Sequence, residues 1–290
     1  MNRAKIIDGQ AIAKKIIESL EPRLAAFKKT KGRAPFLAII AQEQQASQAY
    51  LHSKLKACRE LGIETAVHCL PRNIRLKEIT GMLEMLGRDS FTEGVSLDLP
   101  LPPGLDTAAV LCALPSAKDV DGLAPINYGK LFMAKTHEDI RRLLIPCTAR
   151  AIVEILKSAH SAPEGKRAVV IGRSAIVGRP TAHLLSVLNA TVTLCHSRTL
   201  DLAGEVARAD IVVACLGRPQ RIKGEWIKKQ AVIIDAGINF SNGKICGDVD
   251  FAQASRTASA ITPVPGGVGP VTAAILLANT VLAAERSLTL

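Results

Sequence analysis

The chain has 290 residues, 48% hydrophobic and 22% charged, a globular composition long enough for one large domain or two ordinary ones and unlike that of a disordered segment. Its formal charge of +11 is compatible with nucleic acid, with acidic small molecules or with a solvated basic surface. At 3% aromatic content and with no basic run interleaved with rings, stacking platforms are excluded, so no nucleic-acid partner is expected.

Taken in chain order, residues 1–8 lack the apolar core and small-residue cleavage site of a signal peptide. Residues 36–40 form a short apolar strand bounded by Pro35. Over 47–61, Tyr50, Leu51, Lys54, Leu55, Cys58 and Leu61 recur at helical spacing, with Ser47 as N-cap. Residues 65–70 read as a strand, 77–86 as a helix and 94–99 as another strand, an alternation that predicts parallel strands with crossover helices. In the second half, 149–157 reads as a helix and 167–171 as a buried strand. Strands follow at 191–195, 211–214 and 232–235, with connections long enough for helices. This is a doubly wound nucleotide-binding pattern. The apolar stretch 272–284 predicts a closing helix.

The expected architecture is therefore α/β. An α/β domain occupies 1–143, a Rossmann-type doubly wound domain occupies 144–271, and a C-terminal helix in 272–290 packs back on the first domain, with a cleft between the two domains. No apolar run is expected to reach the roughly 18 residues of a membrane span, and no membrane partner is expected. Seven cysteines are scattered without a Cys-x-x-Cys pair, and six histidines show no ligand spacing. These read as reduced thiols, mostly small buried hydrophobes, in a cytoplasmic protein without a bound metal.

Gly172-Arg173-Ser174-Ala175-Ile176-Val177-Gly178 follows directly on the strand ending at Ile171. A dinucleotide site needs a tight turn whose N–H groups approach a pyrophosphate at a helix N-terminus. An ordinary strand-to-helix turn competes with that reading, because Ser174 replaces the usual middle glycine. The end of the next strand selects the cofactor. An acid there bonds the ribose 2′-hydroxyl of NAD and repels a 2′-phosphate. This chain carries His196-Ser197-Arg198-Thr199 instead, so with Arg173 the expected cofactor is NADP.

Tyr50 and Lys54 are four apart and share one helix face. A ring to stack on a flat substrate and an amine to move protons make a catalytic pair, although a surface couple has the same spacing. Leu97-Asp98-Leu99-Pro100-Leu101-Pro102 ends a buried strand in a proline-bounded loop, where open α/β sheets place ligands. Lys118-Asp119-Val120-Asp121-Gly122 offers two carboxylates with no evident helix to serve, too few oxygens for a calcium loop.

With Gly247-Asp248-Val249, Asp235-x-Gly237-Ile238-Asn239 and Thr262-Pro263-Val264-Pro265-Gly266-Gly267-Val268-Gly269-Pro270, these segments resemble, in order and over nearly the whole chain, the methylenetetrahydrofolate dehydrogenase/cyclohydrolase family. The resemblance implies a tetrahydrofolate one-carbon substrate, with or without a polyglutamate tail, NADP as cofactor, and a homodimer. It implies that Tyr50 stacks on the aminobenzoate ring, that Asp121 hydrogen-bonds the pterin, and that Lys54 handles protons beside Asp98. Leu97, Leu99, Pro265, Gly266, Gly267, Val268 and Gly269 would line the substrate site. Thr148, Gly172, Arg173, Ser174, Ser197, Arg198 and Ile238 would hold NADP.

The chain departs from the family pattern around the folate side. Asp98 stands where the resemblance implies Gln, and the stretches at 41–45, 123–124 and 146–151 also differ. Hydride transfer from a methylene flanked by two nitrogens needs mainly positioning. Cyclohydrolysis needs an amine able to shuttle protons, and a carboxylate beside Lys54 stabilises its ammonium form instead. The expectation is a dehydrogenase with feeble cyclohydrolase activity. Asp98 acting as the base itself is the opposite reading. Two rivals stay open, a dehydrogenase acting on another pterin or cyclic iminium compound and a catalytically weak folate- or NADP-binding paralogue.

Overall fold

The computed structural model describes residues 3–42, 48–241 and 243–289, with the side chains of residues 48–50 and 53 outside that description. In chain order the strands are β1 (Lys5–Ile6), β2 (Phe36–Gln42), β3 (Glu64–Leu70), β4 (Gly94–Leu97), β5 (Arg167–Ile171), β6 (Thr191–Cys195), β7 (Ile211–Ala214), β8 (Val232–Asp235), β9 (Asn239–Ser241), β10 (Lys244–Cys246) and β11 (Ala260–Ile261). The chain divides into two compact units. One comprises residues 15–133, 140–147 and 273–290, the other residues 1–14, 134–139 and 148–272. Contiguous boundaries at 143 and 271 therefore miss the N-terminal residues. Their two-residue strand carries no periodicity of its own and pairs with β11 near the far end of the chain.

The first unit is built on a three-stranded parallel sheet in the order β3-β2-β4. Central β2 is apolar along its length, with Leu37, Ala38, Ile39, Ile40 and Ala41 all buried, as expected of a parallel strand covered on both faces. The helix Leu76–Arg88 buries Ile79, Leu83 and Leu86 against this core. An isolated parallel bridge between Val95 and Asp119 runs the 118–121 segment along the free edge of β4. The helix Gly9–Lys31, which the sequence reading missed, runs through Pro22, whose ring lies on the exposed face.

The second unit carries a six-stranded sheet in the order β1-β11-β8-β7-β5-β6, parallel throughout. From β5 the chain visits β6 on one side and later β7 on the other, a doubly wound arrangement with its switch point between β5 and β7. The small antiparallel hairpin of β9 and β10 stands apart from that sheet. The C-terminal helix, Val268–Arg286, starts earlier than the apolar stretch 272–284 suggested.

Contrary to the expectation drawn from apolar runs, this 19-residue helix is long and apolar enough to cross a membrane, with mean hydropathy 1.5. Its window is 67% buried inside the protein, and Asn279 within it donates to the Val120 and Ile145 carbonyls. Those contacts mark a core helix. Of the cysteines, Cys58, Cys147 and Cys195 are buried, whereas Cys69 and Cys112 are exposed rather than core hydrophobes.

Candidate active site

The expected catalytic residues of the first unit converge at the carboxyl end of β4. The helix Gln48–Leu61, the crossover between β2 and β3, delivers Lys54, whose side chain is almost fully buried. Its Nζ lies 2.6 Å from Asp98 Oδ1 and 3.0 Å from Ser96 Oγ. Asp98 follows β4 directly and is 8% exposed, and among the described residues its buried Oδ2 has no hydrogen-bond partner. A buried, unsatisfied carboxylate oxygen costs roughly 1–3 kcal/mol or more, so the oxygen has the chemistry of a waiting acceptor.

Asp121 joins this group through the edge segment along β4, its Oδ2 accepting the Leu97 amide at 2.6 Å. Burial pushes its carboxyl up to about 6. The Lys54 charge and the Leu97 amide oppose that rise, while Asp119 and Asp98 add to it. Asp119 has a different task, and the reading of two carboxylates without a helix to serve is corrected here. Asp119 is fully buried and accepts from the amides of Gly122 and Ala124 and from Asn127 Nδ2, organising the entry to the helix Pro125–Met133. Leu97 is buried and Leu99 partly so, next to a cis Leu99–Pro100 bond. The backbone of Tyr50 belongs to the Lys54 helix, and its side chain lies outside the described residues, as do Ser47 and residues 43–45 of the divergent stretch 41–45.

In the second unit, the loops after β5 and β6 lie side by side, since Ile171 and Cys195 are register partners and the Gly172 amide donates to the Cys195 carbonyl at 2.9 Å. Gly172 has φ +126, and a Cβ on Gly178 would fall 1.9 Å from the Gly172 oxygen. The turn closes only with glycine at both positions. Ser174 Oγ accepts from the Val177 and Gly178 amides at the start of the helix Gly178–Val187, so its hydroxyl oxygen serves the loop's own backbone.

Arg173, Ser197 and Arg198 are exposed in these two neighbouring loops. Among the described residues neither guanidinium is engaged in an ion pair. No carboxylate stands at the end of β6, where His196 instead bonds Thr199 and the Arg198 amide. A glycine-closed turn opening a helix, two unengaged cations and no acid fit a phosphorylated dinucleotide. Ile238 is 67% exposed after β8, and Thr148 lies in the first turn of the helix Cys147–Ser158.

The loop 262–269 is fixed by close backbone contacts. The Asp235 amide donates to Thr262 Oγ1, the Gly9 amide donates to the Gly266 carbonyl, and the Val264–Pro265 bond is cis. Gly267 and Val268 are buried, and Pro265 and Gly269 are exposed. Sequence reasoning gave no role to Ser96, Asp235, Asn239 or Asp248. The available signals were a serine in an otherwise apolar strand and two aspartates beside glycines.

The comparisons cover almost all of this architecture. The family model described as tetrahydrofolate dehydrogenase/cyclohydrolase, catalytic domain, matches residues 7–121, and that of the NAD(P)-binding domain matches residues 146–288. The bifunctional protein FolD of Magnetococcus marinus is 46% identical over 286 residues, 98% of each chain. The solved structure of the bifunctional FolD methylenetetrahydrofolate dehydrogenase/cyclohydrolase from Campylobacter jejuni superposes with TM-score 0.92 at 40% identity, covering 98% of this chain and 99% of that one. The Trypanosoma brucei enzyme, solved with NADP cofactor and inhibitor, gives TM-score 0.92 at 38% identity over the whole of both chains.

Proposed function

The chain belongs to the tetrahydrofolate dehydrogenase/cyclohydrolase family, and from that premise we propose that it oxidises 5,10-methylenetetrahydrofolate to 5,10-methenyltetrahydrofolate with NADP. The observation that carries this reading is the presence of two sites in one chain that matches both family models. One is the buried Lys54–Asp98 pair with Asp121 beside it at the end of β4, and the other is the acid-free, arginine-flanked turn at Gly172. NADP, when bound, accepts the hydride that leaves the one-carbon bridge.

The protein's own contribution is to bind, orient and exclude water. Asp121, anchored by the Leu97 amide, offers a carboxylate to the pterin's N–H donors, and Tyr50 and Leu99 contribute to substrate recognition. Arg173, Ser197 and Arg198 receive the 2′-phosphate, while Gly172, Ser174, Thr148 and Ile238 shape the rest of the cofactor site. As hydride departs, positive charge spreads over two nitrogens and one carbon of the substrate, so no side chain has to take a proton.

The second family reaction makes the opposite demand, because water must be activated and a proton moved. Lys54 is committed to a carboxylate at 2.6 Å in a buried setting, which favours its ammonium form. We therefore read the chain as a dehydrogenase whose cyclohydrolase activity is feeble. The test uses the purified protein with 5,10-methylenetetrahydrofolate and either NADP or NAD, following methenyl formation and methenyl hydrolysis separately. Absence of NADPH production refutes the reading.

A further inference from the structure

The switch point of the larger sheet, between the carboxyl ends of β5 and β7, is where open parallel sheets place their ligands. The two loops meet there closely. A Cβ on Gly172 would fall 2.3 Å from the Cys215 carbonyl oxygen. Immediately after Cys215, three successive backbone N–H groups converge on one carboxylate. Leu216 and Gly217 donate to Asp248 Oδ2 at 2.5 and 3.0 Å, and Arg218 donates to Oδ1 at 2.8 Å. Gly217 has φ +66, the left-handed backbone that lets neighbouring amides point into one concavity. Such a nest has the chemistry of an anion site, and in this chain an internal carboxylate fills it.

Asp248 is fully buried, and Asn239 Nδ2 donates to its Oδ1 at 2.9 Å. Its own amide bonds Asp235 Oδ1, and Asp235 also receives the amides of Gly237 and Val249. Among the described residues neither carboxylate has a cationic partner, so amide dipoles alone hold the two acids. The enclosure is tight. A Cβ on Gly237 would fall 2.3 Å from the Asp248 carboxyl carbon, and one on Gly247 would fall 2.0 Å from Asp235 Oδ2. A surface turn needs no buried charge. The bonds made by this one tie together the loop after β7 and, through Asn239, the arm after β8 that carries Ile238.

We propose that Asp248 is a positioning residue for NADP. It occupies the nest of residues 216–218, withholds those amides from the cofactor's phosphates, and fixes the loop after β7 against Gly172 and the arm carrying Ile238. The pyrophosphate is thereby left to the turn at 172–178. This rests on the NADP reading above.

Two measurements test it. Amide hydrogen exchange on the intact wild-type chain should show Leu216, Gly217 and Arg218 protected equally with and without saturating NADP. Protection that appears only with NADP means the nest serves the cofactor, and overturns the proposal. Asp248→Asn keeps the volume but turns an NH2 group toward N–H donors. It should raise the KM for NADP about 10- to 100-fold while changing the KM for the folate by less than about twofold. Equal losses on both substrates, or an unchanged NADP KM in a folded variant, overturn the proposal. The exchange measurement decides alone if the variant does not fold. A wild-type chain that binds no NADP refutes the cofactor reading itself, and that result is seen before any variant is made.

Discussion

The carbonyl oxygen of Gly267 occupies the place a side chain on Gly9 would need, since an ideal Cβ on Gly9 would fall 1.8 Å from it. The Gly9 amide also donates to the Gly266 carbonyl at 3.0 Å. The start of the first long helix is thus locked onto the glycine-rich loop by backbone alone. Gly9→Ala should cost about 1–3 kcal/mol of stability through overpacking, read as a lower denaturation midpoint at an unchanged slope. Gly269→Ala is the control, because a Cβ there meets open space inside a helix. It should be neutral or stabilising by up to about 1 kcal/mol. Equal effects of the two substitutions would show that the Gly9 contact yields easily.

The preference for NADP is predicted to reside in two exposed guanidiniums on the neighbouring loops after β5 and β6. Replacing Arg173 and Arg198 by Gln should raise the KM for NADP about tenfold or more, since charge-assisted hydrogen bonds contribute about 1.5–3 kcal/mol each. The KM for NAD should change much less. A parallel rise for both cofactors would remove the 2′-phosphate from these residues.

Most strands were legible because their apolar runs are short and bounded. β5 to β8 coincide with the sequence reading, and β2 to β4 differ only at their ends. The helix Gly9–Lys31 was not legible, as Pro22 and a lysine-rich exposed face hide the buried Leu20, Leu24 and Phe27. β1 and β11 are two-residue strands defined by their partners, β1 by β11 near the far end of the chain and β11 by β1 and β8. At the site, Lys54, Asp98 and Asp121 were named from motifs. Their meeting depends on Asp121 reaching the Leu97 amide along the edge of β4, a tertiary register that no spacing reveals. Ser96 and Asp248 were passed over for the same reason. A lone polar residue in an apolar setting shows its partner only once the strands are assembled.

Asp121 should make folate recognition sensitive to acid. Burial raises its carboxyl to about 6 against an ordinary value near 3.8. Above about pH 6 the carboxylate can accept from pterin N–H groups, and below it the protonated acid loses acceptor capacity. The KM for the folate is therefore expected to climb as pH falls through about 6. Asp121→Asn should have a high KM throughout and no inflection in that range. A pH-independent folate KM in the wild-type chain would detach Asp121 from the pterin. The same shift has a stability counterpart of the usual sign for a raised acid. Its contribution favours the fold below the unfolded value near 3.8 and is lost as pH rises toward about 6.

The remaining prediction concerns the ion pair itself. Lys54 and Asp98 are both buried and 2.6 Å apart, and Ser96 takes another of the ammonium's hydrogens. Cutting such a pair to Asp98→Ala leaves a buried charge alone and is expected to cost about 3–5 kcal/mol, which would confound any kinetic reading. Asp98→Gln is the informative change. Its amide oxygen can still accept from Nζ, but it removes the negative charge that favours the ammonium form. Burial then works toward the neutral amine, the form able to take a proton from water. Hydrolysis of 5,10-methenyltetrahydrofolate should appear or rise at least about tenfold, roughly 1.4 kcal/mol of barrier. NADPH formation should change by less than about threefold, since hydride departure asks no proton of Lys54. Lys54→Met in the Asp98→Gln background should abolish the gained hydrolysis, which separates a working amine from a general loosening of the site. If the native chain already hydrolyses the methenyl compound briskly and Asp98→Gln removes that activity, the Asp98 carboxylate is the base. The clamp on Lys54 is then not what limits the second reaction.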